Sequence, residues 1–322
     1  MASSALKTVP KAPKGARTAA IRPSVAARLF EEAQAIEQED AFRAGTAGFM
    51  GRALVQATLP YREPDRDLPV WGRTAGDTSL IIKPGYVHDD ETGTFKSMGY
   101  PYGTIPRLLL AWLGTEAVRT NEKRVVLGKS LSEFMDSIGL TSHTGGRNGS
   151  ITRVREMMKR LFASDMAIMR GGAPKGADFA TSKFSIADET NLWWSRQDPE
   201  QAGLWQSTVT LSDKFFNEIV ATPVPIDLRA LRGLRQSPMA IDLYCWLTYR
   251  NFALRAPTTI PWEALKLQFG SGAEAEKKFR ETVKRALLQV LAVYPAASAT
   301  PTKAGLYLEP SKTSVPRLVK DW

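Results

Sequence analysis

The sequence predicts an α+β fold: two tandem winged-helix units, a helix-turn-helix variant, behind a partly disordered basic N-terminal extension. Three observations predict it. The chain has 322 residues, the length of two domains at roughly 100–200 residues each. The order helix, strand, helix, helix, strand, loop, strand is readable from residue 106 to 186 and again from 239 to 309. The formal charge of +10 is concentrated late in the chain: net 0 over residues 1–95, +3 over 96–220 and +7 over 221–322. A polyanion would be expected to dock at that end.

Residues 1–24 are rich in Ala, Ser, Pro, Lys and Arg and carry no acid, which predicts a disordered tail. Residues 25–95 form an N-terminal extension. Pro23 and Ser24 open a helix running to about Arg43, with Val25, Leu29, Ile36 and Phe42 on a partial apolar face. That helix suits a partner or its own domain equally. Strand candidates lie at Ser79–Ile82 and near Tyr86. The first unit spans residues 96–194. A helix is predicted over Pro106–Asn121 with Leu109, Trp112, Leu113 and Val118 inward, then a short strand at Arg124–Leu127. Ser130 and Glu133 form a capping box that starts a helix ended by Gly139. The turn Thr144–Gly149 leads into a third helix, Ser150–Ser164. The strand Met166–Met169, a tip at Gly171–Gly176 and a returning strand Phe179–Ile186 complete the unit.

Residues 195–236 read as a linker. The second unit, residues 237–322 and the main DNA reader, repeats the pattern: helix Met239–Phe252 behind Ser237-Pro238, strand Thr258–Ile260, helix Trp262–Phe269, long helix Ala273–Val290, and strand Leu291–Tyr294. A tip, Pro295–Ala304, and a strand, Gly305–Glu309, follow. Trp112-Leu113 matches Trp246-Leu247, and Lys159-Arg160 matches Lys284-Arg285, so the unit reads as duplicated.

The chemistry inventory excludes more than it offers. Cys245 is the sole cysteine, so neither an intrachain disulfide nor a Cys-based zinc site is available. The two histidines, His88 and His143, stand 55 residues apart, which disfavours a His-ligated metal. Gly128-Lys129-Ser130 resembles the end of a phosphate loop, but Lys123 occupies the place of the earlier glycine. Asp89-Asp90-Glu91 reads as a solvated turn. No catalytic constellation, cofactor site, membrane span or secretory signal core is readable, so the expectation is a non-enzymatic cytoplasmic protein.

The third helices carry the binding hypothesis. In the second unit, Phe279, Val283, Ala286, Leu287 and Val290 gather on one side at about 100° per residue. Lys277, Glu281, Lys284 and Arg285 fall opposite, with Lys278 and Arg280 on the flanks. Arg and Lys reach guanine edges and phosphates, and Glu accepts from cytosine. The alternative is a solvated face held by pairs such as Glu281 with Lys277 or Arg285. Lys303 at the wing tip would touch backbone phosphate. In the first unit Arg153, Glu156 and Arg160 face away from the core, with Arg155 and Lys159 on a flank. The turn with Arg147, Asn148 and Ser150 offers amides at a helix N-terminus for phosphate, or needs glycine only for its backbone angles. Trp193, Trp194 and Trp205 would stack on unpaired bases or, the favoured reading, pin a linker to a core.

Tyr100-Pro101-Tyr102-Gly103, Arg107-Leu108-Leu109, Trp112-Leu113, Thr115–Thr120, Leu127–Phe134 and Thr144–Arg147 resemble the RepA-type plasmid replication initiators of Gram-negative bacteria. The resemblance is dense over residues 96–165 and looser beyond. It implies tandem winged helices that bind directly repeated origin sequences in double-stranded DNA as monomers. It further implies opening of an adjacent AT-rich segment, recruitment of a host initiator and the replicative helicase, and a homodimer that in related initiators represses its own gene. Three other readings are open: a winged-helix transcriptional regulator, a nicking or primase-like enzyme, and a scaffold that does not bind DNA. The missing His pair disfavours the enzyme and the late cationic segment disfavours the scaffold.

Overall fold

Proline's fixed φ suits a first helical turn, and Pro23 opens α1 (Pro23–Gln38). The helix stops short of the predicted Arg43. Glu39 is extended, and the Asp40 carboxylate accepts from the amides of Phe42 and Arg43 at 2.9 and 3.2 Å, a local turn that competes with helix. The computed structural model describes residues 21–170, 182–192, 207–270 and 275–316. The basic tail to residue 20, the tip at 171–176, Trp193, Trp194, Trp205 and the expected start of the long helix at Ala273 lie outside them.

The extension continues with β1 (Ala47–Gly51), α2 (Arg52–Gln56), β2 (Trp71–Ala75), β3 (Thr78–Lys83) and the hairpin β4 (Tyr86–Asp89) with β5 (Thr94–Ser97). The first unit then supplies α3 (Thr104–Thr120), β6 (Arg124–Val126), α4 (Leu131–Ser137) and α5 (Ser150–Phe162). Ser130 caps α4 by accepting from the Glu133 amide at 3.2 Å, while Glu133 turns back to the Lys129 amide at 2.7 Å. Next come β7 (Asp165–Arg170), β8 (Ser182–Ser185) and β9 (Ala187–Asn191).

Two features of this middle stretch depart from the sequence reading. The hairpin β7–β8 forms, but it joins the extension in a sheet ordered β2-β3-β7-β8. Leu80 lies opposite Ile168 and Ile82 opposite Met166, and all four are buried. Burial of these apolar residues explains why the hairpin turns to β3. The stretch read as a linker carries β10 (Thr208–Leu211), α6 (Asp213–Ala221), β11 (Pro223–Asp227) and α7 (Leu228–Leu234). β10 is the partner that β6 takes, giving the order β6-β10-β9, and β11 pairs with β1.

The last unit holds α8 (Pro238–Ala253), β12 (Thr258–Pro261), α9 (Trp262–Phe269), α10 (Glu276–Val293), β13 (Ser298–Pro301) and β14 (Gly305–Glu309). Residues 291–293, expected to be strand, continue α10. Val290, Val293 and Tyr294 extend its buried stripe, and the Tyr294 amide donates to the Val290 carbonyl at 2.8 Å, leaving Pro295 to end the helix. The strand instead forms at Ser298–Pro301, and the sheet order is β12-β14-β13.

The same order of elements thus occurs twice, with β7–β8 added in the first copy. One aromatic contact repeats as well. Trp112 of α3 meets Phe134 of α4 edge-on at 5.1 Å and 90°, and Trp246 of α8 meets Phe269 of α9 edge-on at 5.6 Å and 88°. Both pairs lock a first helix to a second, as edge-to-face rings do.

A single buried cluster runs from Val25 to Leu308 through both copies. At its centre the Arg107 guanidinium of α3 spends all five of its N–H donors. Nε and Nη2 reach the two Asp242 carboxylate oxygens of α8 at 2.7 Å each. Nη1 and Nη2 donate to the carbonyls of Gly103, Pro60 and Leu59 at 2.6, 3.2 and 2.7 Å. Burial works against this charge, but the Asp242 carboxylate holds it above the ordinary arginine range. Asp242→Ala leaves Arg107 buried without its counterion. It is expected to cost about 3–5 kcal/mol in urea unfolding, with circular dichroism as the signal.

Candidate nucleic-acid interface

The site is built outward from α10. Phe279, Val283, Ala286, Leu287 and Val290 are buried, as the periodicity predicts. Lys277, Lys278, Glu281, Lys284 and Arg285 are all exposed. Among the described residues, the ion pair that forms on this helix is Arg280 with Glu276. Glu281 makes no ion pair with Lys277 or Arg285. Arg280 itself is half-buried: its guanidinium stacks over the Trp262 ring at 5.4 Å. It therefore stiffens the face more than it extends it.

In the sequence Trp262 marks only a helix start. Its Nε1 donates to the Thr302 carbonyl at 3.0 Å. Thr302 closes the β13–β14 turn, its amide donating to the Gly305 carbonyl at 2.8 Å, and Lys303 stands exposed at that tip. One indole thus fixes the hairpin tip against the cationic helix. The readable signal was a tryptophan at a strand–helix junction, where a buried N–H needs an acceptor.

The first copy is more modified. Arg153 and Lys159 of α5 are exposed, with Lys159 3.7 Å from Glu156, and Arg155 is half-buried. Arg147 and Asn148 are exposed on the preceding turn. Several amides of that turn are already engaged within it. The Ser150 amide donates to Thr144 Oγ1 at 3.0 Å, the Ile151 amide to the Thr144 carbonyl at 3.3 Å, and the Gly149 amide to the Gly146 carbonyl at 3.1 Å. The Ser150 hydroxyl donates to the Ser142 carbonyl and accepts from the Thr144 amide at 2.9 Å. Thr144 caps the helix where an anion was expected, and Gly149 is required because a Cβ there would lie 2.2 Å from the Thr144 carbonyl. Both the hydroxyl and the amide of Ser150 are thus engaged in closing the turn.

Arg160 corrects the sequence reading. Predicted to face outward, it is buried, with Nη1 2.8 Å from Glu63 Oε1 and its guanidinium 5.6 Å from the Tyr102 ring centroid. The extension folds over that end of α5, which periodicity of the helix alone does not reveal. Burial pushes the Glu63 carboxyl up, but Arg66 and Arg160 outweigh it and hold the group below the usual carboxylate range.

Among the described residues no group of three or more His, Cys, Asp or Glu would hold a metal ion, and no helix is long and apolar enough to cross a membrane. Residues 100–264 match the family model described as plasmid encoded RepA protein. Two solved structures of domains 2 and 3 of RctB are similar. One, a selenomethionine derivative, has a TM-score of 0.48 at 13% identity, covering 81% of this chain and 96% of its own. The other has a TM-score of 0.46 at 12% identity, covering 79% and 94%. The comparison with curated protein sequences gives no match.

Two outcomes separate the buried arginine from the exposed one. Arg160→Ala is expected to lower unfolding free energy by about 1–3 kcal/mol, whereas Arg153→Ala should stay within about 0.5 kcal/mol of wild type. The Glu63 contribution has a depressed folded pKa. It is therefore present above the ordinary carboxylate pKa of about 4.3 and is lost as pH falls through the folded value. Urea midpoints of wild type and Glu63→Gln should differ at neutral pH and converge in acid.

Proposed function

The chain belongs to the plasmid-encoded RepA family, and from that premise we propose that it initiates replication by binding repeated sequences in double-stranded origin DNA. Each copy of the repeated element order acts in this reading as a winged helix. α5 and α10 are the third helices that enter successive major grooves about one turn, ~34 Å, apart. The second unit reads the sequence through Lys277, Lys278, Glu281, Lys284 and Arg285, and its wing carries Lys303 to the backbone. Arg147, Asn148, Arg153, Arg155 and Lys159 give the first unit its phosphate contacts. The observation that carries the proposal is the exposed face of α10, whose Glu281 is not spent on its own lysines and whose position against the wing is fixed by Trp262.

Tandem units raise affinity because the second engagement is intramolecular. Opening the neighbouring duplex then draws on binding energy and on the deformability of AT-rich steps, without a catalytic step. In this reading a host initiator and the replicative helicase are the partners recruited to the opened strand.

Gel-shift titration at fixed salt tests the reading. Lys284→Ala and Arg285→Ala are each expected to weaken binding of the repeat by about 1–3 kcal/mol. Binding at wild-type strength by both would remove α10 from the groove. The slope of log affinity against log salt should be steeply negative, and Lys303→Ala should reduce its magnitude by about 1. On supercoiled plasmid carrying the origin, strand opening marks the initiator, whereas a footprint without opening marks a transcriptional regulator.

A further inference from the structure

Arg73 lies on β2, in the extension, yet its side chain is buried against the second unit. Its Nη1 donates to Thr58 Oγ1 at 2.6 Å and to the Gln268 carbonyl at 3.3 Å, and its Nη2 donates to the Gly270 carbonyl at 3.1 Å. The guanidinium also lies over the Tyr61 and Trp71 rings, 4.8 and 5.2 Å from their centroids. Gln268 is held a second time, its Nε2 donating to the Gln56 carbonyl at 2.9 Å. Gln268 and Gly270 are the end of α9. The carbonyls there have no partners within the helix and carry the negative end of its dipole, so a fixed cation is the complement they need. α9 in turn touches α10, where the Arg280 guanidinium lies over the Trp262 ring at 5.4 Å.

We infer that Arg73 is a positioning residue for sequence reading: it clamps the end of α9 and thereby sets where and at what angle α10 begins. The extension is then part of the DNA-reading unit, although it presents no residue to the base edges. This rests on the reading of α10 as the helix in the groove. A lysine in its place keeps the charge but not the planar fork that holds two carbonyls and a hydroxyl at once.

The test uses the full chain and a duplex selected by the wild-type protein from a random pool. Affinity is measured at fixed salt for that duplex, for single-base variants and for a scrambled duplex, at a temperature where each protein is folded by circular dichroism. Arg73→Met is expected to bind scrambled DNA like wild type with an unchanged salt slope. It should lose roughly tenfold of the preference for the selected duplex, the worth of about one base contact. Arg73→Lys should recover part of that preference. Should Arg73→Met not fold, Thr58→Val removes one anchor and is expected to lose preference in the same direction. An unchanged preference in the folded variant overturns the inference, as does a proportional fall for both duplexes, which marks a purely structural role. Lys284→Ala is measured alongside. Wild-type binding by Lys284→Ala faults the reading of α10 itself, whereas its loss with preference intact in the Arg73 variant faults only the clamp.

Discussion

The geometry of the whole chain turns on one buried ion pair, Arg107 with Asp242. It joins the first helix of one copy to the first helix of the other and holds the backbone at residues 59, 60 and 103 to the same point. A buried pair adds little to stability compared with well-packed apolar residues. Its effect here is directional: five donors with fixed geometry admit one arrangement of α3 on α8. Any two surfaces presented by the two copies inherit their relative placement from it.

The same device recurs. Arg229 is buried beside Asp227 and donates to the Ala35 and Glu39 carbonyls at 2.7 and 2.8 Å, tying the end of α1 to α7. Arg73 ties β2 to α9, and Arg160 ties α5 to Glu63. The arginines thus divide into two populations. One is desolvated and holds elements together across long sequence separations. The other, with the lysines, stands in solvent on α10, on α5 and at the β13–β14 tip, and in the proposed function that second population meets phosphate and bases. The exposed population dominates the field a polyanion experiences at the surface.

Helix periodicity made most of the second copy legible. α9 and β14 have the predicted bounds, and the buried stripe of α10 is the predicted one. The Trp112 and Trp246 landmarks proved to make the same contact in both copies. Three things were hidden. Residues 291–293 of the strand expected at 291–294 are helix because apolar spacing of three and four outweighs β propensity. The stretch after residue 206 looked like a linker because its elements are short, and β10 and β11 gain meaning only from distant partners, β6 and β1. The burial of Arg160 is not legible because an arginine on an amphipathic helix carries no local mark of being covered by another segment. Long-range burial of charge is a property of the assembled chain and leaves no period in the sequence.

The central claim is that α10 lies in the major groove, and tethered cleavage measures it directly. Cys245 is buried and its thiol is pushed up by that burial, so it does not compete for a thiol reagent. Lys284→Cys can therefore be labelled at one place with an iron–EDTA cleaver and bound to the selected duplex. The account predicts a single compact cluster of cuts across the major groove of the recognised sequence, absent when label is placed at Leu68→Cys on the extension. Binding that persists with no localised cutting from position 284 would contradict it.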